Sequence, residues 1–453
     1  MKIILKTYKI QIKKGHKLFN YFSFYTFLSK NLFNTTNYYI KQFASAKQRL
    51  NDNLDLHPNQ EEILNLVEYY TKDTKYYPKG DWLSYNTLDY IFKTIKHKDY
   101  ISLPSHSNQW IMKSLINGSY KSFFESLKSY KKDNSKYNSK PKLPKYKKKN
   151  SKTILYFTNI TCKIKDNKYL RFPKTKLQLN IGKLGMYGTL KQVRVIPHTT
   201  YFDVEIVLEN QAIDKPLKED NKRYISIDLG LNNLCAISNS YNNDTYLIKG
   251  TPLKSTNQYF NKKVSYYKSI LKITNNLDYS KRIDKLYRKR NNKIIDYMHK
   301  TSKKIINLCL KENISKIIIG YNENWKQNIN IGKCNNQNFV GIPYYKLIDQ
   351  IKYKAKIQGI EVILQEESYT SKASFLDFDE IPIYNKKEVE NPKFSGKRIQ
   401  RGLYKSKKGI LINADINASL NILRKYINKK EIPIETKFLW DRGCVEHPII
   451  LNI

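Results

Sequence analysis

From about residue 221 onward, short apolar runs alternate with long amphipathic stretches. YISIDLGLNNLCAIS, TYLIKG, KIIIG and IEVIL have the length and residue types of strands. Between and after them, helical spacing runs near 256–274, over 280–311, from Pro343 to Gly359, and through INADINASLNILRKYI. A parallel neighbour in a sheet needs a crossover long enough to bring the chain back, and helices of this length supply it. The alternation therefore predicts a largely parallel or mixed α/β sheet. Within the helix that begins at Pro343 and ends before Gly359, Tyr344, Leu347, Ile348, Ile351 and Ala355 share the face to be buried. In the 280–311 helix, Ile283, Leu286, Tyr287, Ile294, Tyr297, Met298, Ile305 and Leu308 fall near one stripe, which turns its Lys and Arg outward.

The first half reads differently. KIILKTYKIQIKK alternates like an edge strand, and residues 18–130 carry helical periodicity. The aromatic run LFNYFSFYTFLS, about 12 residues, is too short to span a bilayer and reads as a buried helix face. The lysine-rich YKKDNSKYNSKPKLPKYKKKNSK is a linker or a phosphate-contacting arm. Residues 153–210 hold several short strand-like runs separated by turn residues, the pattern of a small β-barrel.

Charge narrows the function. Lys plus Arg number 82 against 39 Asp plus Glu, a formal charge of +43. Codon bias in an AT-rich genome would enrich Lys, Asn, Ile and Tyr together, but it need not leave such an imbalance. A small-metabolite enzyme has no use for this excess; a polyanion neutralises it, and nucleic acid is the expected one. The 37 tyrosines suit the same partner, because rings stack on unpaired bases while ammonium groups meet phosphates. Lys147, Lys148 and Lys149 in the basic arm, and Lys397, Arg398 and Arg401 in a later charged segment, are the candidate nucleic-acid contacts. The five cysteines, Cys162, Cys235, Cys309, Cys334 and Cys444, form no CxxC pair, so no zinc ribbon of the usual spacing is expected. Scattered thiols and an N-terminus interrupted by Lys2, Lys6 and Lys9 point to a cytoplasmic chain with no membrane partner, nucleoid-associated if prokaryotic.

Two acids stand where packing does not ask for them. Asp228 ends the apolar strand YISID just before Gly230, where a sheet opens into a cleft. Asp415 lies at the start of the last helix and shares a face with Ala418, Ser419 and Ile422, small enough to let the helix approach a sheet. A turn cap for Asp228 and an N-cap for Asp415 are the ordinary structural alternatives. A buried lone carboxylate costs several kcal/mol, to order of magnitude, unless a cation or donors compensate it. Magnesium prefers hard oxygen ligands, and a pair of such ions serves phosphodiester chemistry. Such a site needs at least three converging carboxylates.

IDLGLNN, the YTSK segment after a strand, and NADINASLNILRK resemble the three RuvC-like motifs of the TnpB/OrfB family, RNA-guided DNA endonucleases of insertion sequences related to type V CRISPR effectors. The resemblance covers about 221–453. NENWKQ, FVGIPY, EESYTSKASFLD, GKRIQRGLY and WDRGC resemble one branch of the family, and the N-terminal half matches only in layout. The resemblance implies an α+β multidomain chain. Its parts are the first strand of a wedge β-barrel (1–17), a helical recognition domain (18–136), the rest of the barrel (137–220) and an RNase H-like RuvC nuclease domain (221–453). It also implies a guide RNA and double-stranded target DNA carrying a short flanking motif.

There are two departures from the family pattern. The usual second acid, a Glu at the end of the strand that here reads KIIIG, is replaced by Gly320. The usual four-cysteine zinc finger is replaced by the cysteine-free 372–408, so no zinc is expected. The strand IEVIL is expected beside KIIIG, about 4.8 Å away, and it leads into Glu366 and Glu367. A glutamate at its end could lean over the space that a glycine leaves empty. Some relatives look rearranged in this way, with the acid three residues before the Thr of the TS pair; here that position is Glu367. Glu366 is the second choice and Glu323 the third. The expected activity is hydrolysis of target DNA by a Mg²⁺-dependent endodeoxyribonuclease (Mn²⁺ being possible). Asp228, Glu367 and Asp415 are its metal ligands, and no protein nucleophile takes part. A nuclease-inactive RNA-guided repressor and a strand-transfer transposase are the alternatives.

Overall fold

The computed structural model describes residues 4–210, 215–242, 244–322, 333–382, 392–429 and 447–453. The chain divides into two compact units, Ile3–Gln211 and Ala212–Ile453.

In the first unit, β1 (Ile4–Lys13) is the expected edge strand. It pairs antiparallel with β7 (Tyr201–Asn210), which continues through β6 (Thr189–Pro197) to β2 (Leu155–Thr158). The strands β3 (Lys163–Lys165), β4 (Tyr169–Arg171) and β5 (Gln178–Asn180) form a separate small sheet. Among the described residues the strands of the expected barrel form two ladders, one of four strands and one of three. The helices are α1 (Phe19–Asn51), α2 (Pro58–Thr71), α3 (Tyr85–Thr94), α4 (Lys98–Ile101), α5 (Ser107–Lys113) and α6 (Lys121–Lys132). A π-helical turn, Ser114–Tyr120, joins the last two. The aromatic run at the head of α1 is buried on one side only. Phe22 and Tyr25 are core, whereas Phe24 is 57% exposed, since a run without gaps wraps right round a helix.

The second unit is built on a six-stranded sheet. Its central strand β8 (Tyr224–Asp228) pairs antiparallel with β9 (Asn233–Asn239), and β9 pairs with β10 (Tyr246–Lys249). On the other side β8 lies parallel to β11 (Lys316–Gly320), which lies parallel to β12 (Glu361–Gln365). The helices α7 (Thr251–Asn275) and α8 (Lys281–Lys311) precede β11. A short helix α9 (Lys333–Val340) and then α10 (Tyr344–Ile357) precede β12. All five residues expected on the buried face of α10 are buried. On α8 Tyr287 is 43% exposed, so the stripe narrows toward the start of that helix.

The charged segment after β12 contains an antiparallel ribbon: β13 (Lys397–Gln400), β14 (Leu403–Lys405) and β15 (Leu411–Asn413). All four residues of β13 are exposed, so the segment has no inside and outside and shows no period-two signal. The strand leads into α11 (Ala414–Lys429); β16 (Ile449–Ile450) closes the sheet beside β10.

Alternation along the strands gives the sheet two covered faces. Ile225, Ile227, Ile317 and Ile319 join the core of α8 and α10. Tyr224 and Ile318 meet Ile422, Leu423 and Tyr426 of α11. Ser419 Oγ lies 3.0 Å from Ser226 Oγ and donates to the Ser226 carbonyl at 3.1 Å, a close approach that only small side chains permit.

Candidate functional site

Asp228 is the last residue of β8 and lies on the α11 side, in step with Tyr224 and Ser226. The chain then turns tightly: a side chain at Gly230 would come within 2.7 Å of the Asn233 carbonyl oxygen. That turn returns the chain to β9, whose first residue, Asn233, donates from Nδ2 to Asp415 Oδ2 at 2.8 Å.

Asp415 is not the cap of α11. Asn413 Oδ1 accepts from the backbone N–H of Asp415 at 3.0 Å and of Ile416 at 3.3 Å, which is the capping bond. Freed from capping, the Asp415 carboxylate is held by Asn233 and by Arg398 Nη2, 3.2 Å from its Oδ1.

The third acid is positioned by a glycine. Gly320 ends β11 and pairs with Gln365 of β12, as the expected neighbouring of the two strands requires. A Cβ built on Gly320 would overlap Glu367 Oε2 and come within 2.5 Å of Ile422 Cδ1. The carboxylate of Glu367 thus occupies the place a side chain at 320 would take. The turn that sends it there is fixed by Thr370, whose Oγ1 donates to the Glu367 carbonyl at 2.8 Å, and by Tyr369 at φ 62°. Glu367 N–H donates to Asn322 Oδ1 at 3.2 Å.

The two adjacent glutamates have different fates. Glu366 Oε2 accepts from Lys425 Nζ at 2.5 Å, and its Oε1 accepts from the Ser368 N–H at 2.6 Å. It is neutralised and turned into the loop. Glu323 lies outside the described residues.

Electrostatics tie the acids together. Burial, then the charges of Glu367 and Asp415, hold the Asp228 carboxyl well above the usual carboxylate range, with Arg398 acting the other way. Burial, then Glu366, push Glu367 up to about 7, opposed by Lys425. A divalent cation relieves this kind of repulsion, and carboxylate oxygens are its preferred donors. The donor set and the glycine cradle therefore fit a hard metal ion. Among the described residues, no three His, Cys, Asp or Glu side chains already stand in ligating arrangement.

The residues that hold this arrangement were missed in the sequence. Asn417, Asn421 and Lys425 recur every four residues on α11, a polar stripe that reads as a solvated face. Here it grips the loop after β12. Asn417 Nδ2 donates to the Ala373 carbonyl at 2.8 Å, Asn421 Nδ2 to the Thr370 carbonyl at 2.9 Å, and Lys425 to the Ser368 carbonyl at 3.0 Å. Of the candidate basic residues, Lys397, Arg398 and Arg401 belong to the exposed ribbon, and Arg398 alone reaches an acid of the site. Lys147, Lys148 and Lys149 are in the first unit, on an extended segment fastened to α1. His299 is exposed on α8. Cys162, Cys235 and Cys309 are buried free thiols. No helix of the described residues is long and apolar enough to cross a membrane.

Comparison with known proteins covers both halves of this site. A family model described as "Probable transposase" (OrfB_IS605) matches residues 205–326, and a Cas12f1-like TNB domain matches 344–422. The TnpB-like protein ORF457 of Acidianus two-tailed virus is 25% identical over 240 residues, which is 50% of this chain and 48% of the relative. The match thus spans about half the length of that relative. Among solved structures, a Cas12f1–sgRNA–target DNA complex is 15% identical, with 89% of this chain and 82% of the other covered at a TM-score of 0.45. Alicyclobacillus acidoterrestris C2c1 with single-guide RNA is 9% identical, with 79% and 64% covered at a TM-score of 0.38. Asp228 lies inside the first family match, Glu367 and Asp415 lie inside the second, and together with the TnpB-like relative these matches support a protein of the TnpB/OrfB family.

Proposed function

We propose that the protein is an RNA-guided, divalent-metal-dependent DNA endonuclease of a mobile element, with Asp228, Glu367 and Asp415 as its metal ligands. The observation that carries this reading is the complementarity of Gly320 and Glu367: one strand lacks a side chain where the neighbouring strand delivers a carboxylate. The family matches and the +43 charge support a guide RNA and a DNA target with a short flanking motif. The sheet order β12-β11-β8-β9-β10, with β8, β9 and β10 antiparallel and β11 and β12 parallel to β8, supports an RNase H-like core for 221–453. By the family layout, 18–136 is the recognition insert, and 1–17 with 137–220 the wedge.

When bound between these carboxylates, Mg²⁺ or Mn²⁺ supplies activation of water and stabilisation of the leaving oxygen. The chain's own residues do the rest. Asn233 orients Asp415, Thr370 and Asn322 aim Glu367, and Lys425 keeps Glu366 out of the site. Arg398 holds positive charge beside Asp415. No side-chain nucleophile is needed for hydrolysis.

The test is cleavage of guide-matched DNA by purified protein with Mg²⁺ or Mn²⁺. Glu367→Gln is expected to lower the rate by about a thousandfold or more while RNA binding is kept, and Glu366→Gln is expected to lower it far less. Full cleavage by the Glu367 variant would sink the ligand assignment. A wild type that binds guide and target but never cuts would leave a nuclease-inactive RNA-guided binding protein.

A further inference from the structure

The first unit contains a groove of about 360 Å³ that the endonuclease site does not use. Its size falls within the range of about 300–1,000 Å³ typical of small-ligand sites. Lys142, Lys145 and Lys147 line one side, and Ser119, Ser122 and Ser126 the other; no lining residue is acidic. Phe123 adds an aromatic surface.

The lysines are held there by the backbone. The segment that carries them has no regular structure but is fastened to α1. Asn34 exchanges two hydrogen bonds with the Lys147 backbone at 2.8 and 2.9 Å, Asn37 donates to the Pro144 carbonyl at 3.2 Å, and Lys30 donates to the Lys149 carbonyl at 3.0 Å. Asn37 is itself fixed by Tyr120, whose hydroxyl donates to it at 2.7 Å. Tyr120 closes the π-helical turn that also carries Ser119. Such turns are costly and occur often at functional sites. Lys147 Nζ lies 5.0 Å from the Phe33 ring centroid and covers a face of that ring, while Phe123, which meets the Phe124 ring edge to face at 5.1 Å, is half-buried at the groove. Three like charges fastened around one opening call for an anion. The hydroxyls add neutral donors to phosphate oxygens, and the ring takes a base face.

We propose that this groove takes one nucleotide of a single strand, its phosphate on the lysines and serines and its unpaired base on Phe123. The proposal rests on the nucleic-acid reading above. The bases of a duplex are stacked on each other and cannot offer a face to Phe123, which is why a single strand is chosen.

The experiment uses the full chain freed of nucleic acid, with a fluorescent deoxythymidylate strand of about 20 nucleotides and a duplex of the same length, titrated at several salt concentrations. Lys142→Gln/Lys145→Gln should weaken single-strand binding about tenfold. It should also lower the slope of log K against log salt by about 0.7, the share of one phosphate on a single strand. Phe123→Leu should weaken single-strand binding about tenfold through lost stacking, with slope and duplex binding unchanged. Unchanged single-strand binding in both variants, or an equal loss on duplex from Phe123→Leu, overturns the groove assignment. A wild type that binds neither probe overturns the nucleic-acid reading with it. A wild type that binds while both variants match it overturns the groove alone. Both lysines are exposed, so circular dichroism of that variant is expected to match wild type.

Discussion

A methyl group at position 320 would land on Glu367 Oε2 and 2.5 Å from Ile422 Cδ1. Gly320→Ala should therefore destabilise the protein by about 1–3 kcal/mol, the usual cost of overpacking. In a Glu367→Ala background the cost should be smaller, because half of the clash is gone; denaturant titration of the single and double variants measures both. The raised acids make a second prediction. Between the ordinary carboxylate range and about pH 7 the folded chain keeps a proton on Glu367 that the unfolded chain has released. The folded state binds more protons there, so this group's contribution falls as pH rises through the window. In EDTA the Tm of Glu367→Gln should match wild type near pH 4.5 and exceed it above pH 7. Mg²⁺ should close that gap by raising the wild type more at pH 8 than at pH 5. A gap independent of pH would show that Glu367 is not held protonated by burial and repulsion. These residue-level features were half legible. Glu367 was visible as an acid at the end of the right strand. That Lys425 removes Glu366 from the choice was not, since 59 positions separate Glu366 from Lys425 and only folding makes them neighbours.

Among the elements, α11 carries most of the site. Asn413 caps it through two backbone N–H groups, which places Asp415 in the first turn with its carboxylate free. Asn413→Ala is expected to cost about 1 kcal/mol in stability, and Asn413→Ser or Asn413→Asp to restore most of it; chemical denaturation of the three variants checks this. An unchanged Ala variant would mean that the cap does not anchor the helix. Two faces of the same helix work differently. Ser419 and Ile422 meet the sheet, and Asn417, Asn421 and Lys425 fasten the loop that bears Glu367. The sheet-facing residues show in a sequence as small and apolar spacing. The polar stripe does not, because a buried asparagine and a solvated one look alike until its partner carbonyls are known. The ribbon β13–β15 was hidden for the opposite reason: exposed on both sides, it carries no apolar alternation.

For the whole molecule, the excess of basic residues sets the expected behaviour on purification. Protein expressed with its native flanking DNA should carry RNA through low-salt steps and release it near 1 M salt, with log K falling linearly against log salt. Sequencing that RNA should give one defined species ending in sequence from beyond the element. A smear of cellular RNA would mean that the charge binds without addressing.

What the sequence by itself determined was the pattern of elements, the large excess of basic charge, and the placing of Asp228 at a strand end and of adjacent Glu366 and Glu367 after another strand. Those are properties of periodicity, composition and motif, and they survive being read one residue at a time. Only the tertiary structure decided that Gly320 and Glu367 share one space, that Asn413 rather than Asp415 caps α11, and that Arg398 meets Asp415. The first and last depend on side chains that only the strand pairing and the lie of α11 bring together, and the cap on which of two nearby polar residues turns its side chain to the helix N-terminus.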